Sequence, residues 1–331
     1  MNAQSTTVLL AAGLALAIGS PLAAADSAAA SPSAYAVHAR WDLGAASRWD
    51  YLDIDPARHR LYLTRGDRVQ VLDTASGKVV GEVAGTAGVH GVAFAQDLKL
   101  GFTSNGRANS VTAFDLDTLQ VKHEVKIAGV NPDAILYEPV TRKLYTFNGK
   151  SLDVSVLDPV TLKQTATIPV GGKPEFAASD AAGKIFVNIE DTSEIAVLDA
   201  RTDKLLARWP LKGCTDPTGI ALDSAHERLF TVCQNKLMIV TDSKTGRRVA
   251  EVAIGEHADA AAFDAASSTV YASNGDGTLS VVHQLDADHY AAPVQLATAK
   301  GARTMALDHA TRRVYLPTVV NQVFTVIVAA P

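Results

Sequence analysis

The chain has 331 residues, a formal net charge of −5, 47% hydrophobic residues and 20% charged ones. That much apolar material can bury a large core and excludes wholesale disorder. The mild acid excess excludes bulk electrostatic attraction to nucleic acid or anionic lipid and leaves room only for a local basic patch.

From the N-terminus, an apolar run over Val8 to Ile18 is followed by Pro21 and the small-residue string Leu22-Ala23-Ala24-Ala25. This reads as the hydrophobic region and cleavage site of a secretory leader, cut after Ala25, although its first residues, MNAQSTT, lack Lys and Arg. The run is short for a membrane span, no later segment offers about 20 consecutive apolar residues, and the alternative is an uncleaved anchor. No cysteine follows the run, which excludes a lipoprotein anchor. The expected organisation is a signal peptide over 1–25, a disordered linker over 26–34 and one folded unit over 35–331. The mature chain is expected to be periplasmic or secreted, without a membrane span, and monomeric.

The folded unit is repetitive. An apolar residue followed by an aromatic one recurs at Leu61-Tyr62, Leu144-Tyr145, Ile185-Phe186, Leu229-Phe230, Val270-Tyr271 and Val314-Tyr315, with a looser copy ending at Phe102. The aromatics are 40, 43, 41, 44, 41 and 44 residues apart, so seven copies fill the chain. Each copy opens with a short apolar strand ending in an acid, as in Leu52-Asp-Ile-Asp55 or Ile220-Ala-Leu-Asp223. A polar turn such as PARHR or SAHER leads into the aromatic strand. A third strand of the type Val154-Ser-Val-Leu-Asp158 follows, and a turn such as Ser76-Gly77-Lys78 leads to a fourth.

Seven four-stranded antiparallel meanders of about 40 residues predict an all-β, seven-bladed β-propeller. An open solenoid would need polar caps, and none is visible. The last copy stops after its third strand, Val323 to Val328, while Tyr35 to Leu43 supplies a spare strand ahead of the first copy. Pairing the two would close the last blade with the N-terminal strand and satisfy two exposed edges.

Gly171-Gly172-Lys173 resembles a phosphate cradle only superficially, because Pro174 follows and no helical period comes after it. The pair falls between the outer strand of one blade and the inner strand of the next, where tight crossings favour positive φ. Cys214 and Cys233 form a possible disulfide; sequence does not show whether their Cα atoms come within range. A bond would close a loop of about 19 residues, worth roughly 3 kcal/mol, and the spacing is far from a C-x-x-C redox or metal pair. His59, His226 and His309 fall in first-strand turns of different blades, and His283 stands where other copies carry Asp.

Phe102-Thr-Ser-Asn105, Tyr145-Thr-Phe-Asn148, Tyr271-Ala-Ser-Asn274, Val154-Ser-Val-Leu-Asp158 and Gly171-Gly-Lys-Pro174 carry a family likeness. Over roughly Tyr35 to Val328 the chain resembles the YVTN-type, YncE-like seven-bladed propeller repeat proteins. The resemblance implies the fold; the family spans binding and surface proteins, and some relatives bind single-stranded DNA. The Trp41-Asp42 and Trp49-Asp50 dipeptides fall outside the third-strand position of a WD40 repeat.

Aligning the copies on the residue that ends the first strand exposes one variable polar position five residues earlier: Asp50, His90, Asp133, Glu175, Thr218, Asp259 and Arg303. A propeller brings the connection into each innermost strand to the channel mouth, so these side chains are expected to converge as a ring. Four carboxylates around one axis must be protonated, paired or bridged by a cation, which makes a divalent ion such as Ca²⁺ a possible cofactor. Pairing of the acids with Arg303 and loop backbones is the competing reading, and Trp49, Tyr51 and Phe176 are expected to wall the ring. H-E-x-x-H and G-x-S-x-G are both absent from the sequence. The expected function is an exported module that binds a small molecule or a protein at the channel mouth. The alternatives are a metal-assisted enzyme of lactonase or lyase type at the same mouth, or single-stranded DNA binding, which the acid balance disfavours.

Overall fold

The protein is described here by a computed structural model, which covers Met1, Asn2 and residues 35–331. The leader and linker expected at 1–25 and 26–34 fall almost wholly outside these residues. Seven four-stranded antiparallel sheets make up the propeller. Blade one runs through Leu52–Asp55, Arg60–Arg65, Arg68–Asp73 and Val79–Ala84 in sequence order, and blades two to six repeat this meander. Their innermost strands are Val89–Ala95, Pro132–Glu138, Pro174–Ser179, Pro217–Asp223 and Ala258–Asp264, which touch one another around the central axis.

Blade seven is built from both chain ends. Its first three strands are Ala306–Asp308, Arg313–Val320 and Val323–Ala330, and its outer strand is Ala36–Ala45. Ala36 pairs with Ala330 and Asp42 with Thr325, so the spare N-terminal strand closes the ring as its position predicted. Among the described residues the only helix is a single 3₁₀ turn, Gln96–Leu98, and no helix is long and apolar enough to cross a membrane.

The seven repeat aromatics explain why the period is so regular. Tyr62, Phe102, Tyr145, Phe186, Phe230, Tyr271 and Tyr315 are all at most 1% exposed, each on the second strand of its blade. Each lies in apolar clusters shared by neighbouring blades, and burying each stabilises the ring by about 2–3 kcal/mol. Alternation along the strands, as in the Val69, Val71 and Leu72 core positions against half-buried Gln70, fits sheets packed face to face.

The antiparallel order sorts loops to two faces. Each innermost strand starts at the channel mouth and ends on the opposite face, where the third strand ends too. The second strand returns to the mouth, so the turns after it lie there as well. At the junction into blade four, Gly171 adopts φ +75°, and a Cβ at Gly172 would lie 2.5 Å from Ile189 Cγ2. Backbone conformation and close approach therefore account for this glycine pair. A disulfide joins Cys214, in the junction into blade five, to Cys233 at the end of that blade's second strand, with Cα atoms 5.4 Å apart.

Candidate functional site at the channel mouth

The mouth is built at and just ahead of the start of each innermost strand, and its backbone is tied both within and between blades. Thr304 Oγ1 donates to the Asp50 carbonyl at 3.0 Å, and the Asp50 amide donates to Thr64 Oγ1 at 3.1 Å. The Tyr51 amide donates to the His90 carbonyl at 3.1 Å, and the Ser104 hydroxyl to the Asp133 carbonyl. Side chains leaving these positions are thus held by rigid strands rather than by loose loops.

Three of the aligned residues meet directly. His90 Nδ1 lies 2.5 Å from Asp50 Oδ2 and 3.5 Å from Asp133 Oδ1. Side-chain exposures are 20% for His90, 21% for Asp50 and 13% for Asp133, so the cluster is sheltered yet reachable from the mouth. Burial alone would depress the imidazole, but the Asp50 hydrogen bond and the Asp133 charge outweigh it and raise the His90 pKa. Burial pushes Asp133 up to about 6 despite His90 nearby.

The other acids pair differently. Glu175 lies 3.4 Å from Lys173 Nζ, which also pairs with Glu190. Desolvation and then Asp133 hold the Glu175 carboxyl well above its usual range. Asp259 Oδ2 receives Arg303 Nε at 2.9 Å, yet burial pushes the carboxyl up to about 7, since Arg303 is more than half exposed and its field is screened. Thr218 departs from the expected ring: it is 2% exposed and its hydroxyl donates to the Ala258 carbonyl at 2.8 Å, inside the blade junction. One backbone acceptor satisfies a hydroxyl, so Thr218 can be buried at the junction, whereas Asp50, His90 and Arg303 keep partial exposure at the mouth.

Tyr51 marks the centre of this rim. It is 6% exposed, and after desolvation its phenol is raised by Asp259, Glu175, Asp50 and Asp133, acids from four different blades. Its hydroxyl lies 3.4 Å from Glu175 Oε1, and its ring packs on Phe176 with centroids 4.7 Å apart. Blades one and four are not neighbours, so this pair bridges the hub. Both rings line a channel cavity of about 400 Å³, whose wall is otherwise mostly apolar and carries Asp53 as its one carboxylate. Trp49 instead packs edge-on against Phe324, centroids 5.5 Å apart.

A second cavity, of about 510 Å³, opens over Asp50 and His90 and is lined by Arg48, Arg107, Lys150 and Asn131 among others. Among the described residues no carboxylate pairs with Arg48, Arg107 or Lys150. Sequence alignment on the first strand misses these cations, because Arg107 and Lys150 come from the second-strand turns that return to the mouth. Their signal is the matched triplets Asn105-Gly106-Arg107 and Asn148-Gly149-Lys150. Lys173 and Glu190 escape it for the same reason, lying outside the aligned column.

A seven-bladed β-propeller with a charged mouth is what fold and site define. Solved structures share the fold. A chain of Kuenenia stuttgartiensis hydrazine synthase superimposes with a TM-score of 0.74 at 15% identity, covering 88% of this chain and 97% of that one. A chain of a mitotic checkpoint complex gives 0.77 at 16% identity, covering 96% and 99%. No family model and no curated protein matches the sequence. At such identities the likeness is one of architecture, and function has to be argued from the site.

Proposed function

We propose that the chain is an exported binding module of the YncE-like type that takes a small anionic ligand, carrying carboxylate or phosphate groups, at the channel mouth. The observation that carries this is the cavity over Asp50 and His90, where Arg48, Arg107 and Lys150 surround about 510 Å³ without acid partners. Unpaired cations around a concave site attract and orient an anion, and the nearby acids Asp50 and Asp133 add selectivity by repelling misplaced charge. The leader pattern Val8 to Ala25 supports export.

Citrate and pyrophosphate serve as probes in calorimetry on protein kept in EDTA. The expected result is saturable binding that weakens with salt and falls at least about tenfold in an Arg107→Ala/Lys150→Ala double variant. Binding that is equal in that variant, or confined to a single-stranded oligonucleotide, would sink the reading. Intact mass of the exported chain should place its first residue at Asp26.

A further inference from the structure

We propose that Asp50, His90 and Asp133 form a site for one divalent first-row transition ion, of the Zn²⁺ or Mn²⁺ class. The proposal stands independently of the anion reading, since neither Arg107 nor Lys150 is a ligand in it. One imidazole nitrogen and two carboxylate oxygens, from three successive blades, offer donor atoms that all lie within 4.8 Å of one another. An ion with bonds of about 2.0–2.2 Å holds its donors roughly 3.4 Å apart, so His90 and Asp133 already have the spacing and the 2.5 Å His90–Asp50 contact would open as the ion replaces its proton. The mixed set favours borderline ions over Ca²⁺, which prefers six to eight oxygens. Thiolate is not on offer, because both cysteines are in the disulfide.

Three further features favour a cation here. First, the imidazole is fixed in the orientation that turns Nδ1 to the acids: a Cβ at Gly106 would lie 2.5 Å from His90 Nε2, so the glycine is what lets the ring lie against that wall. Second, among the described residues Asp50 and Asp133 pair with no cationic side chain other than His90. Two sheltered carboxylates thus share one imidazole, which carries at most a single positive charge. Third, the side of the triad facing the mouth cavity is open, leaving coordination positions for water or ligand. A dication would replace the proton on Nδ1 and offset both carboxylates together.

The test is calorimetry on metal-stripped mature protein with Zn²⁺, Mn²⁺ and Ca²⁺, without organic anions. One equivalent of Zn²⁺ or Mn²⁺ should bind more tightly than Ca²⁺, with affinity at least about tenfold lower in His90→Ala and in Asp50→Asn. A His226→Ala/His289→Ala variant, which removes two surface His–Asp pairs, should bind as the parent does. In unmodified protein, substoichiometric Mn²⁺ should broaden the His90 ring resonances before those of His226 and His289, a readout that needs no variant to fold. Absence of one-to-one uptake, unchanged affinity in His90→Ala, loss in the surface variant, or broadening of His226 or His289 first would each overturn the site.

Discussion

The two faces of the wheel use the same side chains to opposite effect. On the face away from the mouth, acids end the first and third strands and cap the turns that follow. Asp115 accepts the Thr118 amide at 2.8 Å, Asp158 the Thr161 amide at 2.8 Å and Asp242 the Thr245 amide at 2.9 Å. Those hydrogen bonds hold Asp115 down at about 2 and lower Asp158, while Asp242 falls despite opposing desolvation. At the mouth, Asp133, Glu175 and Asp259 are pushed upward by burial. Turn acids are stabilised in their charged form by amides pointing at them; mouth acids are strands' first side chains, gathered with few donors and much shared charge. The difference separates carboxylates that hold the fold from those held by it.

Removing a turn acid should have the largest effect. Asp55 has no side-chain exposure, accepts the Ala57 amide at 3.1 Å and pairs with Arg58 at 2.9 Å. Asp55→Ala should cost about 3 kcal/mol in urea unfolding, by removing a buried carboxylate that accepts the Ala57 and Arg58 amides and one of the two carboxylates that hold Arg58; a cost under about 1 kcal/mol would break the contrast. Gly106→Ala should come next. The new methyl would press on His90 and cost about 2 kcal/mol as an overpacked contact, and it should also weaken any metal uptake by the triad.

The pH profile of thermal stability in EDTA sharpens the comparison further. Burial, opposed by Arg303 and helped by Asp50, Asp133 and Glu190, pushes the Asp259 carboxyl up to about 7. A raised carboxyl binds its proton more tightly when folded, so stability grows as pH falls through about 7 toward the unfolded value near 4. The raised His90 acts in the same direction, its contribution present below its unfolded pKa and lost as pH rises through the folded one. The turn acids have the other sign: their stabilisation is present above their unfolded pKa and fades as pH drops toward about 2. The melting temperature should therefore rise from pH 8 to about 5 and fall below about 4. Asp259→Asn should flatten the first limb and leave the second; an unchanged first limb would remove Asp259 from its cause. The smallest effect is expected of Glu175→Gln, a slight gain in melting temperature at pH 8, since it removes a carboxyl whose charged form burial disfavours.

What was legible in the sequence follows from the repeat. The tyrosine or phenylalanine of each second strand, the acid at the end of the first and the spare strand before blade one all recur or are conspicuously single, so blade number and closure could be read directly. The column at Asp50, His90 and Asp133 was legible because a variable polar residue in a regular frame stands out. Thr218 was misplaced because alignment gives position along a strand and not rotamer, and its hydroxyl found the Ala258 carbonyl. The meeting of Tyr51 with Phe176 could not be read, as it depends on the width of the hub. The free cations Arg48, Arg107 and Lys150 could not be read as a group either, because they come from junctions and turns of different registers that only ring closure brings together.

The contact between Tyr51 and Phe176 gives the hub a direction. Two aromatic rings reaching across from sectors one and four narrow the bore and set a phenol surrounded by acids at its middle. Any group that reaches that depth meets an apolar wall on one side and a concentration of carboxylates on the other.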